Sequence, residues 1–359
     1  MAIPILYKTN TMLLAIKQMP INHSFLRDRY FPTTESDMFP GSTVIVEYKN
    51  GSRKLAPFVI PKKKGITVER TGYYSSLYEP PYIAPQRPLG IDDLEKKQFG
   101  EILFGDMSQN EREQKILASD LEEFDEMITR NEEYLAAQIM QYNQVTVKHY
   151  ADKYGSDEFE EYEVRFYEDN NEAIYTPSVD WNDPNAPILG DLDAMTQMLT
   201  GNGNPAVDVV MSPIMAQNIL RNLQIKELLD NSNILIGEIN PVEMYGGQAG
   251  FLGQLKATGH PLNLITYNGQ YADESGELKP YLDPYSVIVT APEAGRGMYG
   301  AVTQLEDDSD NFLIYKEKRV PKFTKDVNTD VRTLKMTSRP FFAPKTLNPF
   351  ICAKVSEEE

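Results

Sequence analysis

The sequence predicts a mixed α+β protein of several units, and three observations predict it. A ribbon without any helical period runs over 43–88, a single apolar helical stripe follows over about 109–141, and strand-sized and helix-sized runs then alternate between 191 and 290. The 359 residues are 41% hydrophobic and 25% charged, ordinary globular usage that excludes wholesale disorder. No apolar run reaches the ~18 residues of a membrane span. Met1-Ala-Ile-Pro-Ile-Leu-Tyr-Lys8 has no charged segment ahead of an apolar one, so no secretory signal is expected. A single cysteine, Cys352, excludes an intramolecular disulfide framework, and the scattered His23, His149 and His260 exclude a His/Cys zinc cluster. This usage fits synthesis in a reducing cytoplasm.

The net charge of −18 is unevenly spread. Residues 91–180 carry 24 acidic and 8 basic side chains, whereas 41–75 carry 7 basic and 2 acidic, and 311–359 carry 10 basic and 6 acidic. The overall excess repels phosphate, which argues against a generic nucleic-acid binder. Blocks of opposite sign suit a chain that docks onto copies of itself, although solvated faces give the same pattern.

Taken in order, residues 1–40 are punctuated by Pro4, Pro20, Pro32 and Pro40 and read as an irregular arm draped over something else. Val44–Tyr48 is a strand, Asn50-Gly51 a hairpin turn, Arg53–Ile60 a second extended stretch, Lys62-Lys-Lys-Gly65 a basic tip and Ile66–Arg70 another strand. Residues 73–88 hold a proline- and tyrosine-rich return path. The ribbon's apolar residues Val44, Ile45, Phe58, Val59, Tyr73 and Tyr74 have too few partners of their own, so they are expected to bury against a neighbour. After a short helical element ending near Gly105, Ser108-Gln-Asn-Glu111 forms a capping box. Leu117, Leu121, Phe124, Ile128, Leu135 and Ile139 then make one stripe, with Glu111, Glu113, Glu122, Glu123, Asp125, Glu126, Glu132 and Glu133 on the acidic back. Val145–Tyr150 and Glu161–Tyr167 pair around Gly155. The α/β stretch holds a helix over 191–200, strand Asp208–Met211, a helix from the cap Ser212 and Pro213, and strands Ile234–Ile239, Leu262–Tyr267 and Val287–Thr290. The last 50 residues return to extended character.

Reactive chemistry is sparse. Gly295-Arg-Gly297 and Gly201-Asn-Gly203 fit neither a phosphate loop nor a dinucleotide fingerprint, and no Gly-x-Ser-x-Gly elbow occurs. Asp208 or Asp191 with Glu238 is conceivable as a glycosidase-type acid/base pair, but chance adjacency explains it equally in a chain with 53 carboxylates. His149, His260 and Cys352 read as structural. No catalytic residue, cofactor site or metal site is assigned.

Tyr267-Asn-Gly-Gln-Tyr271, Leu282-Asp-Pro284, Val287–Thr290 and Gly295-Arg-Gly-Met-Tyr-Gly300 stand in an order that resembles the lambda-type major capsid proteins of tailed bacteriophages, the phage capsid E family. Phe25-Leu-Arg-Asp-Arg-Tyr-Phe-Pro32 resembles that family's arm, and Ser338-Arg-Pro-Phe-Phe-Ala-Pro344 its closing strand. The resemblance spans essentially the whole chain, with widespread single-residue differences and a more acidic helix. It implies an α+β Hong Kong 97-like fold: N-terminal arm 1–42, extended E-loop 43–88, spine helix and first part of the P-domain 89–185, A-domain 186–310, and return strands with the C-terminus 311–359. It implies no catalysis. The implied function is self-assembly into hexamers and pentamers of an icosahedral head around double-stranded DNA, without sequence-specific DNA binding. The implied partners are a separate scaffolding protein (the arm opens the chain), a portal and a decoration protein. An encapsulin-like compartment and an α/β carbohydrate-active enzyme are the alternatives. Within such a shell the expected contact sets the basic ribbon, Lys49, Arg53, Lys54, Lys62, Lys63, Lys64 and Arg70, on a neighbour's acidic spine residues Glu111, Glu113, Glu122, Glu123, Asp125 and Glu126. Ion pairing is expected of Lys62–Lys64 rather than the isopeptide bond that some relatives form.

Overall fold

The computed structural model describes residues 8–20, 22–48, 74–90, 93, 108–150, 155, 158–166, 174–230, 237–244, 248–255, 259, 261–306, 311–326 and 331–356. Two helices, α1 (Thr9–Gln18) and α2 (Phe25–Tyr30), form inside the arm that the sequence read as irregular. Six residues are too few to display a helical period, and Pro20 separates the pair. The arm drapes over its own chain: Phe25, Leu26, Tyr30 and Phe31 are fully buried in the main core.

Strand β1 (Val44–Tyr48) pairs antiparallel with β2 (Tyr74–Tyr78), Val44 facing Tyr78 and Tyr48 facing Tyr74. The pair makes a stem that encloses residues 49–73, so the Asn50-Gly51 turn, the basic tip and the strand expected at 66–70 lie outside the described residues. The expectation that Val44 lacks partners is corrected, because Val44 and Val46 are buried within the same chain. Alternation leaves Ile45 and Leu77, which face each other, on the opposite side of the stem, and both are exposed. Strand β3 (Gln86–Leu89) follows and later receives β18 (Val331–Thr337), which also pairs with β17 (Val320–Asp326).

The predicted stripe is a single helix, α3 (Gln109–Tyr142), ~51 Å long at 1.5 Å per residue. Ser108 and Glu111 form the expected reciprocal capping box. All six stripe residues are buried. The acidic back is corrected at three positions, since Glu113, Glu132 and Glu133 are also buried. The second half of α3 is covered on more than one side, with Ala136, Ala137 and Met140 buried as well. Asn143 ends the helix in the left-handed region at φ 52°. Strands β4 (Gln144–Tyr150) and β5 (Phe159–Arg165) then form the expected hairpin.

The α/β unit is organised by a mixed seven-stranded sheet. Its members in chain order are β6 (Ile174–Tyr175), β7 (Asp208–Met211), β8 (Gly237–Met244), β9 (Ala249–Leu255), β10 (Leu262–Tyr267), β13 (Ser286–Thr290) and β20 (Ile351–Lys354). Their spatial order is β6-β20-β13-β7-β10-β9-β8, with β7–β10 and β20–β6 parallel and the rest antiparallel. The strand expected at 234–239 starts three residues later and is bulged between Ile239 and Val242, around Pro241. Helices α4 (Ile188–Gly201), α5 (Pro213–Arg221, capped by Ser212) and α6 (Leu223–Asp230) accompany it. Val209, Met211, Val287, Val289, Ile351 and Ala353 pack with α4 and α5, while Val210, Ile265 and Ile288 face the cluster that holds the arm and α3. Both faces are covered, which is why these strands read as continuous apolar runs.

The rest is built from two-stranded pairs: the hairpins β11 (Gln270–Ala272) with β12 (Leu278–Pro280) and β15 (Val302–Leu305) with β16 (Phe312–Tyr315), and the long-range pair of β14 (Gly295–Tyr299) with the fully buried β19 (Pro340–Pro344). Among the described residues no helix is long and apolar enough to cross a membrane.

Candidate assembly surfaces

Two adjacent carboxylates on α3 anchor the arm. Glu133 accepts hydrogen bonds from the backbone N–H of Leu26 at 2.9 Å and of Arg27 at 2.8 Å, from the Ser24 hydroxyl, and from the Tyr267 phenol at 2.7 Å. Two of those donors are amides of the first turn of α2, groups that no intrahelical acceptor serves. Burial, then the Glu133 charge beside it, pushes the Tyr267 phenol far above its ordinary range, so it stays a donor.

Glu132 binds two guanidinium groups. Arg27 reaches it at 2.9 Å, Arg319 reaches it with Nη1 at 2.6 Å and Nη2 at 3.0 Å, and the Tyr299 phenol donates at 2.9 Å. Burial alone would raise this carboxyl, but Arg319 and Arg27 more than reverse that and hold it down to about 2. Arg319 continues to Asp125 at 2.7 Å. Helix α3 thus joins the arm, β14 and the chain just before β17. The sequence analysis missed this centre. The signal was present as the gap of seven in the stripe between Ile128 and Leu135, because Glu132 occupies the vacant helical position.

Glycines let the arm approach closely. A Cβ on Gly295 would run into the Phe31 ring, and one on Gly297 would meet Phe31 O at 2.9 Å and the Phe342 ring at 2.8 Å. Phe31 itself stacks on Phe350 with centroids 5.3 Å apart.

The acidic residues expected to meet a neighbour are differently occupied. Glu113 is paired with Arg332 and Asp125 with Arg319. Glu123 pairs with Arg87 at 2.8 Å, and Arg87 also holds Asp120. Glu111 is used in the cap, and Glu126 pairs with Arg130 one turn on at 2.7 Å. Glu122 is exposed. Their seven basic counterparts, Lys49, Arg53, Lys54, Lys62, Lys63, Lys64 and Arg70, lie outside the described residues.

Two of the carboxylates considered for acid/base chemistry, Asp208 and Asp191, are structural supports. Asp208 is buried and accepts from Arg29 at 2.7 Å, Asn263 at 2.9 Å and Tyr30 at 3.2 Å. Asp191 accepts from Trp181 at 2.8 Å and Tyr175 at 2.6 Å, and burial with Asp191 beside it lifts the Tyr175 phenol to about 12. His149 stacks on Tyr162 at 5.8 Å, and burial raises the Cys352 thiol to about 12, which keeps it protonated.

Several strand pairs expose apolar side chains. On the stem, Ile45 is 44% and Leu77 69% exposed; on the β15–β16 hairpin, Leu305 is 42%, Phe312 70%, Leu313 43% and Ile314 60% exposed, so both faces of β16 are open.

The family model for phage major capsid protein E matches residues 8–355. Among solved structures, the chain is similar to a prophage protein of E. coli CFT073 described as its capsid protein, at 16% identity and a TM-score of 0.65, covering 97% of this chain and 99% of that one. It is also similar to a phage-related protein from Bordetella bronchiseptica RB50, at 9% identity and a TM-score of 0.50, covering 96% and 95%. No curated protein matches the sequence.

Proposed function

The chain belongs to the phage major capsid protein E family and has the Hong Kong 97-like fold, and from that premise we propose that it self-assembles into the hexamers and pentamers of an icosahedral phage head that encloses double-stranded DNA. In this reading residues 1–42 are the arm, 43–88 the E-loop, 89–185 the spine helix and first part of the P-domain, 186–310 the A-domain, and 311–359 the return strands and C-terminus. The chain is made in the bacterial cytoplasm and resides in the virion. A separate scaffolding protein, a portal and a decoration protein are its partners, and the packaged DNA is held without sequence readout, in keeping with the net charge of −18.

The observation that carries the reading is the stem of the E-loop. Its inner residues Val44 and Val46 are buried by this chain, while Ile45 and Leu77, cross-strand neighbours, are left outside. Such a pair is stable in water when a second surface covers it. The basic residues of the loop dock on the spine of a neighbouring copy, where Glu122 and the Glu126–Arg130 pair remain accessible. Sedimentation and electron microscopy of the isolated chain at micromolar concentration test this: rings or closed shells are expected, and a species of only ~41 kDa across a wide range of concentration and salt overturns it.

A further inference from the structure

Beside the Glu132 centre lies an open cavity of about 410 Å³, walled on one side by arm residues between His23 and Thr33 and on the other by Lys318, just before β17. Its polar groups fall into two sets. Arg27 and Asp28 are engaged within the subunit. Arg27 gives Nε to Asp28 at 2.7 Å, Nη1 to Glu132 at 2.9 Å and Nη2 to the Asn22 carbonyl at 2.8 Å. Asp28 also accepts from the Ser24 amide at 3.1 Å and stands 3.2 Å from His23 Nδ1, so its charge is answered inside the arm. Lys318 and Thr33 are different. Among the described residues the Lys318 amine forms no ion pair and no hydrogen bond, and it rests over the Tyr299 ring, 5.3 Å from the centroid. The Thr33 hydroxyl likewise makes no hydrogen bond among those residues. The carboxylates near the cavity, Asp28, Asp125 and Glu132, are held by Arg27 or Arg319, and none of them pairs with Lys318.

We infer that this cavity binds a free phosphate-type oxyanion, with the Lys318 amine as its charge partner and the Thr33 hydroxyl as a neutral donor. A lysine ammonium serves as a point-charge ligand for phosphate, and a hydroxyl rotates to donate where an acceptor arrives. The space is ample: a water takes about 30 Å³, so an oxyanion enters with part of its hydration. The field favours the charge. Burial lowers the Lys318 amine below its ordinary range, Glu132 draws it up, and Arg27 and Arg319 press it down again, as neighbouring cations do. An anion between them relieves that repulsion. Because its two ligands belong to the arm and to the stretch before β17, the bound anion joins these segments and braces the arm on its seat. The site lies within one subunit and does not depend on how copies assemble.

Equilibrium dialysis of the full chain, as dissociated subunits, against radiolabelled inorganic phosphate at low ionic strength tests it. Uptake of a single phosphate per chain is expected. Lys318→Gln should weaken binding about tenfold or more, whereas Lys318→Arg, which keeps the charge, should stay within about threefold of the parent. Lys316→Gln, a lysine outside the cavity, should bind as the parent does. Thr33→Val removes the hydroxyl and leaves Lys318 over its ring; a loss of about threefold or more is expected, and this variant decides if Lys318→Gln lowers the unfolding midpoint. Phosphate should also slow proteolytic cutting between α2 and β1 in the parent and not in Lys318→Gln, against chloride at equal ionic strength. A parent that takes up no phosphate overturns the inference, and so do folded Lys318→Gln and Thr33→Val chains that bind like the parent. Two further results overturn it by naming another occupant. Retention of a duplex oligonucleotide but not of free phosphate assigns the cavity to a DNA backbone. A raised critical concentration for assembly in Lys318→Gln, with no phosphate uptake by the parent, assigns it to a carboxylate of a second copy.

Discussion

Arg319 reaches Glu132 across 187 positions of sequence and grips it with two nitrogens, Nη1 to Oε1 at 2.6 Å and Nη2 to Oε2 at 3.0 Å. Arg27 approaches the same carboxylate from the arm at 2.9 Å. One buried anion therefore neutralises two cations drawn from opposite ends of the chain.

Removing that anion leaves two guanidiniums to share what remains, Asp28 for Arg27 and Asp125 for Arg319, both only partly buried. Glu132→Gln is expected to cost about 3–5 kcal/mol, because a buried pair broken on one side leaves uncompensated charge. Tyr299→Phe removes a single donor to the same carboxylate and should cost about 0.5–1.5 kcal/mol. Urea unfolding of dissociated subunits measures both, and equal losses would contradict the assignment of Glu132 as the centre.

The same carboxyl sets an acid limit. Its folded value of about 2 lies below the ordinary 4.5, so its contribution is fully present above about pH 4.5 and is lost as pH falls toward 2. Denaturant midpoints taken from pH 6 to pH 2.5 should fall with acid in the parent. Glu132→Gln should start lower and show a shallower acid slope; an unchanged slope rejects the prediction.

Gly295→Ala places a methyl group in the Phe31 ring. Overpacking of this kind costs about 1–3 kcal/mol, and the displaced side chain belongs to the arm. Limited proteolysis is expected to cut between α2 and β1 faster than in the parent, with α3 unaffected. Equal cutting rates would show that the ring has room to move.

Reversing charge at the ribbon tip, Lys62, Lys63 and Lys64 all to Glu, should leave folded subunits that assemble poorly. Each exposed pair contributes only about 0–1 kcal/mol, so the effect comes from several pairs and from repulsion when the ribbon shifts. Changing Glu122 and Glu126 to Lys should restore assembly in part. Raising salt from 0.1 M to 1 M shortens the screening length from about 10 Å to about 3 Å and should weaken assembly of the parent. Light scattering follows both, and a triple reversal that assembles like the parent at low salt removes the tip from docking.

Local signals in the sequence carried well and long-range ones did not. Ser108 with Glu111 marks the start of α3, the stripe from Leu117 to Ile139 lies along one buried side, and Asp208–Met211 and Leu262–Tyr267 are strands with the expected bounds. Those features depend on neighbours within a few residues. The arm helices escaped because α2 is held from outside, by Glu133 more than a hundred positions away. Glu132 and Glu133 were placed in solvent because a glutamate in a helix ordinarily belongs there, and only the distant Arg27, Arg319 and Tyr267 make burial tolerable. The ion pairs of Glu113, Glu123 and Asp125 likewise use arginines from other strands and loops, which no spacing rule reveals.

The position of β20 has a consequence for how the protein is made. Residues 351–354 sit inside the large sheet, between β6 and β13, and Phe350 just before them forms the stack under Phe31. At roughly 5–20 residues per second, a ribosome takes roughly 15–60 s to deliver that strand after the arm. Throughout that interval Phe31 lacks its floor, and β13, once made, has an open edge until β20 arrives. A nascent chain therefore cannot complete the unit that seats its arm, and premature joining of half-made subunits on one message is disfavoured by the topology itself.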